Sequence, residues 1–308
     1  MNQKLTVAVD HGNRNMKTSQ FVFTSGIIES DCRPVLGEFL FYNGHYYTLS
    51  EQRIPYMRDK TMDNRFFILT LFAIAMEAER RGVASDNVLL TVDLPVGLPP
   101  KHYGALHKKF QEYFTDRGIQ IFTYQGHNYH VLIENAIAFP QDYAAAMTIY
   151  PEISEYSKVT TVDIGGFTLD YLLMRNGAPD LSVCESLEKG VIPLYNSIIS
   201  RVNSEYDILL DDTDVDSIIR NKKTDYDSTI INMVKEMTKT YVDDILGTLR
   251  ERGLDLKTGC VVFIGGGAML LREYLEVSGK IGKCIFIEDI SANARGYELL
   301  YEVQKRGR

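Results

Sequence analysis

The sequence predicts an α/β protein made of two similar domains. Three observations carry this. A unit of strand, aspartate, glycine-bearing turn and strand occurs twice, about half the chain apart. Between and after these units, short β-branched runs alternate with helical periodicities. The length of 308 residues suits two domains of ordinary size. Two such units imply two domains facing each other across a cleft, with an anion between the turns.

The later unit is KVTTVDIGGFTLDYLLM, residues 158–174. Residues 159–163 read as a strand, Ile164-Gly165-Gly166 as a turn and residues 167–174 as the returning strand. The glycines permit positive φ and close backbone approach, and the amides of such a turn can converge on one anion. Asp163 stands at its mouth, where a carboxylate can hold a hydrated divalent cation. Thr168 adds a hydroxyl, and Asp170 adds a carboxylate of the same facing by strand alternation. Taken alone, the stretch also fits an ordinary tight hairpin with acidic flanks.

The earlier unit, LTVAVDHGNRNMKTSQFVF (5–23), repeats the plan around Asp10. Its turn nearly fits a P-loop. However, Met16 stands where glycine should precede the lysine, and a strand pattern follows instead of a helix. Lys17 is therefore read as a phosphate contact from a hairpin, with a solvated turn lysine as the alternative.

The remaining elements follow in order. EFLFYNGHYYTL (38–49) is a hairpin turning at Asn43-Gly44. Asp63 is expected to cap a helix running to about residue 81, with Phe67, Leu71, Ile74 and Ala78 on its apolar face. Residues 88–92 read as a buried strand ending before DLPVGLP, and 102–117 as an amphipathic helix. Residues 119–124 and 129–133 make a hairpin around Gln125-Gly126-His127-Asn128. In 136–150, Pro140 suits the first turn of a helix, and Ala144 to Ala146 permit close packing. Gln141 and Asp142 then fall near that helix's start, either at the cleft edge or as ordinary first-turn polar residues.

Beyond the second hairpin, Gly190 precedes a helix over 191–206. The acidic run 211–216 lacks EF-hand spacing and reads as a solvated helix start. Asp227 caps a long helix to about residue 252, closed by Gly253. A strand over 261–264 leads through Gly265-Gly266-Gly267 into a helix over 268–275. Such a junction lets a ligand lie against bare backbone, but it is not the dinucleotide fingerprint. A strand over 284–287 and a helix from Ser291 to about residue 305 complete the chain.

Composition narrows the function. Hydrophobic residues make up 45% and charged residues 24%, as in globular proteins, and the net charge of −8 argues against gripping nucleic acid directly. There is no apolar run long enough for a membrane helix, and the strand pattern starting by Leu5 leaves no room for a signal peptide. The four cysteines are scattered and form no C-x-x-C, which suits reduced thiols in a cytoplasmic protein. His102 with His107, and His127 with His130, lack the further ligands of a zinc site.

Five stretches in order, VDHGNRNMKT, FPQDYAAAM, VDIGGFTLD, FIGGGAMLL and SANARGYELL, resemble the nucleotide-site elements of the actin, hexokinase and heat-shock chaperone ATPase superfamily. Within it, EFLFYNGHYYTL, DKTMDNRFFILTLFAIA, LTVDLPVGLP and SANARGYELL resemble the ParM/StbA plasmid-segregation actins. His11, Arg14 and Asn15 depart from the small residues usual in the first loop. The resemblance implies two actin-like (ribonuclease H-like) domains around a nucleotide cleft. Domain I would span 1–150 with a small subdomain at about 30–85. Domain II would span 151–290 with a helical subdomain at about 195–257, and 291–308 would return to domain I.

The resemblance also implies roles. Asp10 and Asp163 would hold Mg2+ through water, with Asp170 supporting its water shell. Asn13 and Lys17 would contact phosphates, together with the amides of Gly12, Gly165, Gly166 and Thr168. Gln141 would orient the attacking water. Gly190 would start a helix near the base, and Gly265, Gly266 and Gly267 would pass the ribose and α-phosphate. The implied protein is an ATPase, with GTP as an alternative substrate. It would form nucleotide-dependent filaments that segregate plasmid DNA through a small DNA-binding adaptor on centromere-like DNA. The rival readings are a small-molecule kinase, with Asp142 or Asp93 as its base, and a filament scaffold of phage or bacterial origin.

Overall fold

The computed structural model describes residues 2–55, 57–83 and 88–307. The chain divides into two compact units: residues 1–148 with 291–308, and residues 149–290. The subdomain boundary expected near residue 85 lies outside the described residues.

The first unit starts with β1 (Asn2–Thr6), β2 (Asp10–His11), β3 (Asn15–Lys17) and β4 (Val22–Thr24). It continues with β5 (Ile27–Ser30), β6 (Leu40–Tyr42), β7 (His45–Leu49), α1 (Arg65–Arg80), β8 (Leu89–Leu98), α2 (Pro100–Thr115), β9 (Ile119–Tyr124), β10 (His127–Pro140) and α3 (Tyr143–Met147). The second unit holds α4 (Tyr150–Ile153), β11 (Lys158–Ile164), β12 (Leu169–Arg175), β13 (Ala178–Leu187), α5 (Val191–Tyr206), α6 (Asp212–Ile219), α7 (Ser228–Glu251), β14 (Cys260–Ile264), α8 (Gly265–Val277) and β15 (Lys283–Phe286). The last helix, α9 (Ala292–Arg306), belongs to the first unit.

In the first unit a mixed sheet runs β1-β8-β10-β9-β6-β7-β5, and β2-β3-β4 form a small separate meander. The opening apolar run is thus divided. β1 pairs in parallel with β8, and only from Asp10 does the chain turn into its hairpin. The β6–β7 and β9–β10 hairpins have two-residue turns at positive φ. These are Asn43 (49°) with Gly44 (87°), and Gln125 (52°) with Gly126 (84°), as twist-matched turns require. The second turn is therefore two residues shorter than expected.

β8 runs through DLPVGL instead of stopping at Val92. Pro95 is tolerated because β1 ends opposite Asp93. Beyond that point Val9 needs only an acceptor from this strand, and its amide donates to the Pro95 carbonyl at 2.9 Å. β10 likewise runs on to Pro140, so Pro140 ends a strand and does not open a helix; the helix after it is only five residues long. α1 is buried all round from Phe66 to Ala75, more fully than a single apolar stripe implies. It begins at Arg65 behind Asn64, and Asp63 caps from one position further out, accepting from the Arg65 amide at 2.9 Å.

In the second unit the sheet runs β13-β12-β11-β14-β15. β13 was not foreseen; its half-buried, polar-rich pattern hides it. The helices match the sequence pattern closely: α6 carries a capping box on Asp211, and the Asp227 side chain accepts from the Thr229 amide at the start of α7. The three glycines after β14 are the first turn of α8, not a loop before it.

Candidate functional site

In the first unit Asp10 is 2% exposed, and a carboxylate this deep needs partners. Lys17 lies directly across the β2–β3 ladder, and its Nζ is 3.0 Å from Asp10 Oδ2. Gln141 Nε2 donates to Asp10 Oδ1 at 2.9 Å. Carboxylate oxygens can accept more than one hydrogen bond each, so this arrangement still suits a metal-bound water. Asp10, Lys17 and Gln141 therefore meet in one place.

The turn that carries them is closed tightly. A Cβ on Gly12 would lie 2.5 Å from the Asn15 carbonyl oxygen. Ser25 clamps the same turn, its hydroxyl donating to Gly12 O at 2.6 Å and its amide to Arg14 O at 2.9 Å. Lys60 donates to the His11 carbonyl. Asn13 has a buried Oδ1 with no hydrogen-bond partner among the described residues. A carboxamide turned over at that position would offer its NH2 to an anion.

His11 is a packing residue. Its ring is fully buried against Phe110 and Phe114, at centroid distances of 5.4 and 5.2 Å. Its Nε2 is 2.8 Å from Thr70 Oγ1, whose own proton goes to Phe66 O. Burial first, then the Lys60 charge, hold the imidazole well below its ordinary range, so it is neutral. Ser25, Lys60 and Thr70 went unnoticed in the sequence because each sits outside the glycine turn it supports.

In the second unit Asp163 and Asp170 are direct cross-strand partners. Two carboxylates face to face repel, which suits a cation between them. Thr168 Oγ1 donates to Asp170 Oδ2 at 2.9 Å. The loop between β11 and β12 is four residues long, and neither Gly165 nor Gly166 adopts positive φ. Their role is close approach. Gly190 N donates to Phe167 O, Val191 N to Gly165 O and Ile192 N to Gly166 O, at 2.9–3.1 Å. The first amides of α5, which a helix leaves without internal partners, thus hold the loop. The Gly165 amide, expected to face an anion, donates instead to Thr168 O at 2.8 Å. Tyr241 reaches over from α7, its hydroxyl 2.6 Å from Gly190 O.

The three glycines at the start of α8 differ from one another. Gly265 has φ of +88°, and a Cβ there would strike the Asp163 carboxylate. A Cβ on Gly267 would lie 2.7 Å from Ile164 O and 2.8 Å from Val191 Cγ1. Gly266 has nothing within 4 Å. Two of them therefore fit the helix against β11, and Gly266 is open.

Asp93 does not have the surroundings of a catalytic base. It is buried, with Lys4 Nζ at 3.1 Å and Asn135 Nδ2 at 2.8 Å. Burial by itself would raise its pKa. Hydrogen bonds from Tyr301, Asn135 and Lys4 outweigh that and hold the carboxyl below the usual range.

No curated protein matches the sequence. Residues 161–277 match the family described as archaeal actin homologue MreB-like, C-terminal. Among solved structures, an archaeal actin homologue superposes with a TM-score of 0.76 at 16% identity, covering 97% of this chain and 99% of its own. A 15-stranded ParM filament from Clostridium botulinum gives 0.69 at 18%, covering 99% and 100%. A Bacillus thuringiensis ParM with ATP gives 0.69 at 15%, again covering 99% and 100%. Likenesses of this breadth at such low identity establish architecture, and they show that this chain has the actin-like fold.

Proposed function

We propose that this chain is an actin-like ATPase that assembles into nucleotide-dependent filaments and segregates plasmid DNA. The observation that carries the reading is the buried Asp10 carboxylate with Lys17 and Gln141 both placed on it. It occurs on a fold shared with a ParM filament and with a ParM that binds ATP. ATP is the ligand, with GTP as the alternative, and Asp10, Asp163 and Asp170 would hold Mg2+ mainly through water. Bound magnesium would neutralise charge on the triphosphate. Lys17 and Asn13 supply donors to the phosphates, with the amides of Gly12, Gly166 and Thr168. Gln141 orients water for attack. The protein's contribution is positioning and fixed charge.

The net charge of −8 favours an adaptor over direct contact with DNA. Among the described residues no helix is long and apolar enough to cross a membrane, and a cytoplasmic site of action belongs to the same proposal. The test is sedimentation with and without Mg-ATP, paired with phosphate release. Pelleting should appear above a critical concentration with ATP and reverse after hydrolysis, because a head-to-tail contact that does not close gives a fibre. A protein that stays monomeric at roughly tens of micromolar with ATP, ADP and a non-hydrolysable analogue overturns the filament reading. ATP consumption that depends on an added sugar would replace it with a kinase.

A further inference from the structure

The segment that presents Gln141 has an unusual backbone. Asp142 has φ of 61° and ψ of −53°, and the Tyr143 amide donates to the Gln141 carbonyl across it. This is a γ-turn at positive φ, a rare and strained form. A residue other than glycine holds such a geometry only where its surroundings impose it.

The surroundings come from α9. Asn293, 5% exposed, accepts the Asp142 amide on its Oδ1 at 3.0 Å. Just before the turn, on β10, Phe139 and Pro140 lead in, and the Phe139 ring stacks on Tyr297 with centroids 6.4 Å apart. After the turn, α9 passes Ala144 so closely that Gly296 has no room for a Cβ against the Ala144 backbone. Gly97 of β8 is closed to a side chain by Tyr297 in the same way. Gln141 itself is anchored through its amide to Leu98 O at 2.8 Å. The turn is gripped from one helix before, at and after its strained residue.

We propose that Asn293 is a positioning residue for Gln141: it holds the Asp142 γ-turn in its strained form and thereby keeps the Gln141 carboxamide on Asp10. This rests on the reading of Gln141 as the group that orients water. Without the Asn293 acceptor, Asp142 relaxes toward negative φ, the Tyr143 to Gln141 bond opens, and Gln141 leaves Asp10. α9 would then govern hydrolysis without touching nucleotide.

The test uses the full chain with Asn293→Ala, Gln141→Ala, Asp142→Gly and the double variant Asn293→Ala/Asp142→Gly. Hydrolysis of bound ATP is followed in a single turnover, ATP affinity by calorimetry, and amide hydrogen exchange of the 141–143 segment without nucleotide. Asn293→Ala should slow hydrolysis by roughly ten- to hundredfold, the scale of a misplaced catalytic group. Its ATP affinity should stay within about twofold, and exchange at 141–143 should quicken. Glycine adopts positive φ without strain, so Asp142→Gly should restore much of the lost rate in the double variant. A purely structural role for Asn293 predicts no such rescue. Unchanged exchange, or lost hydrolysis that Asp142→Gly does not rescue, overturns the proposal. Normal hydrolysis by Gln141→Ala shows instead that the water-placing reading is wrong, and exchange alone then judges the clamp.

Discussion

Gly190→Ala is expected to destabilise the second unit and loosen its acidic hairpin, although the backbone at 190 is ordinary. Its φ of −90° and ψ of 178° are open to alanine. The obstacle is steric. The new Cβ would lie 2.5 Å from the Phe167 carbonyl carbon and closer still to the Gly166 carbonyl, where about 3.5 Å is comfortable. Those are backbone atoms, so the loop and α5 must separate by about 1 Å. The three hydrogen bonds from Gly190, Val191 and Ile192, now 2.9–3.1 Å long, would stretch past useful length. Two or three bonds at about 1 kcal/mol each, or overpacking at about 1–3 kcal/mol, give a cost of about 1–3 kcal/mol. For a unit of this size that lowers the melting temperature by about 3–12 °C. Differential scanning calorimetry measures it, with Gly266→Ala as the control. Gly266 has open space and lies in a helical turn, so alanine there should leave melting unchanged or raise it slightly. Equal melting of Gly190→Ala and wild type would refute the steric argument.

On the proposed function, Asp163→Ala should remove Mg2+-dependent ATP binding, because a cation held there would lose one of two cross-strand carboxylates; undiminished affinity by calorimetry would count against the site. Gln141→Ala should slow phosphate release by about 10²–10³-fold, as for loss of one positioned polar group, with ATP affinity nearly intact. Asp93→Asn tests the acid limb of stability. The depressed Asp93 carboxyl contributes stability that is complete above the unfolded value of about 3.9 and is lost as pH falls through its lower folded value. The urea midpoints of wild type and Asp93→Asn should therefore differ at pH 7 and draw together as the pH falls below the unfolded carboxylate value of about 3.9. A gap that stays constant would show that Asp93 is protonated identically in both states.

Much of the second unit was legible because its signals are local. Asp211 and Asp227 cap their helices through side chains a few residues away, and the apolar spacing of α7 holds over its whole length. Both acidic hairpins were legible for the same reason, since an aspartate before a glycine turn needs no distant partner to be recognised. The misreadings lie where a remote strand decides. Pro95 looks like a strand breaker until β1 is seen to end beside it. Pro140 looks like a helix start until β10 is seen to continue along β8. The groups that brace the turns within each unit, Ser25, Lys60 and Asn293 in the first and Tyr241 in the second, act on backbone remote in sequence. Lys60 and Asn293 stand inside stretches that resemble the actin-like family, yet no local pattern singles out the residues themselves.

The place of α9 has a consequence for how the chain is made. Its residues complete the first unit, yet the whole second unit is encoded between them and the rest of that unit. At ~5–20 residues per second, a ribosome adds the second unit over on the order of ten seconds before Tyr297 and Gly296 emerge. Throughout that interval the surfaces that will receive them, at Gly97, Phe139 and Ala144, are bare. The nascent first unit is then a partial fold with an apolar face awaiting its last helix, and that interval is when chaperone capture or misassembly would act.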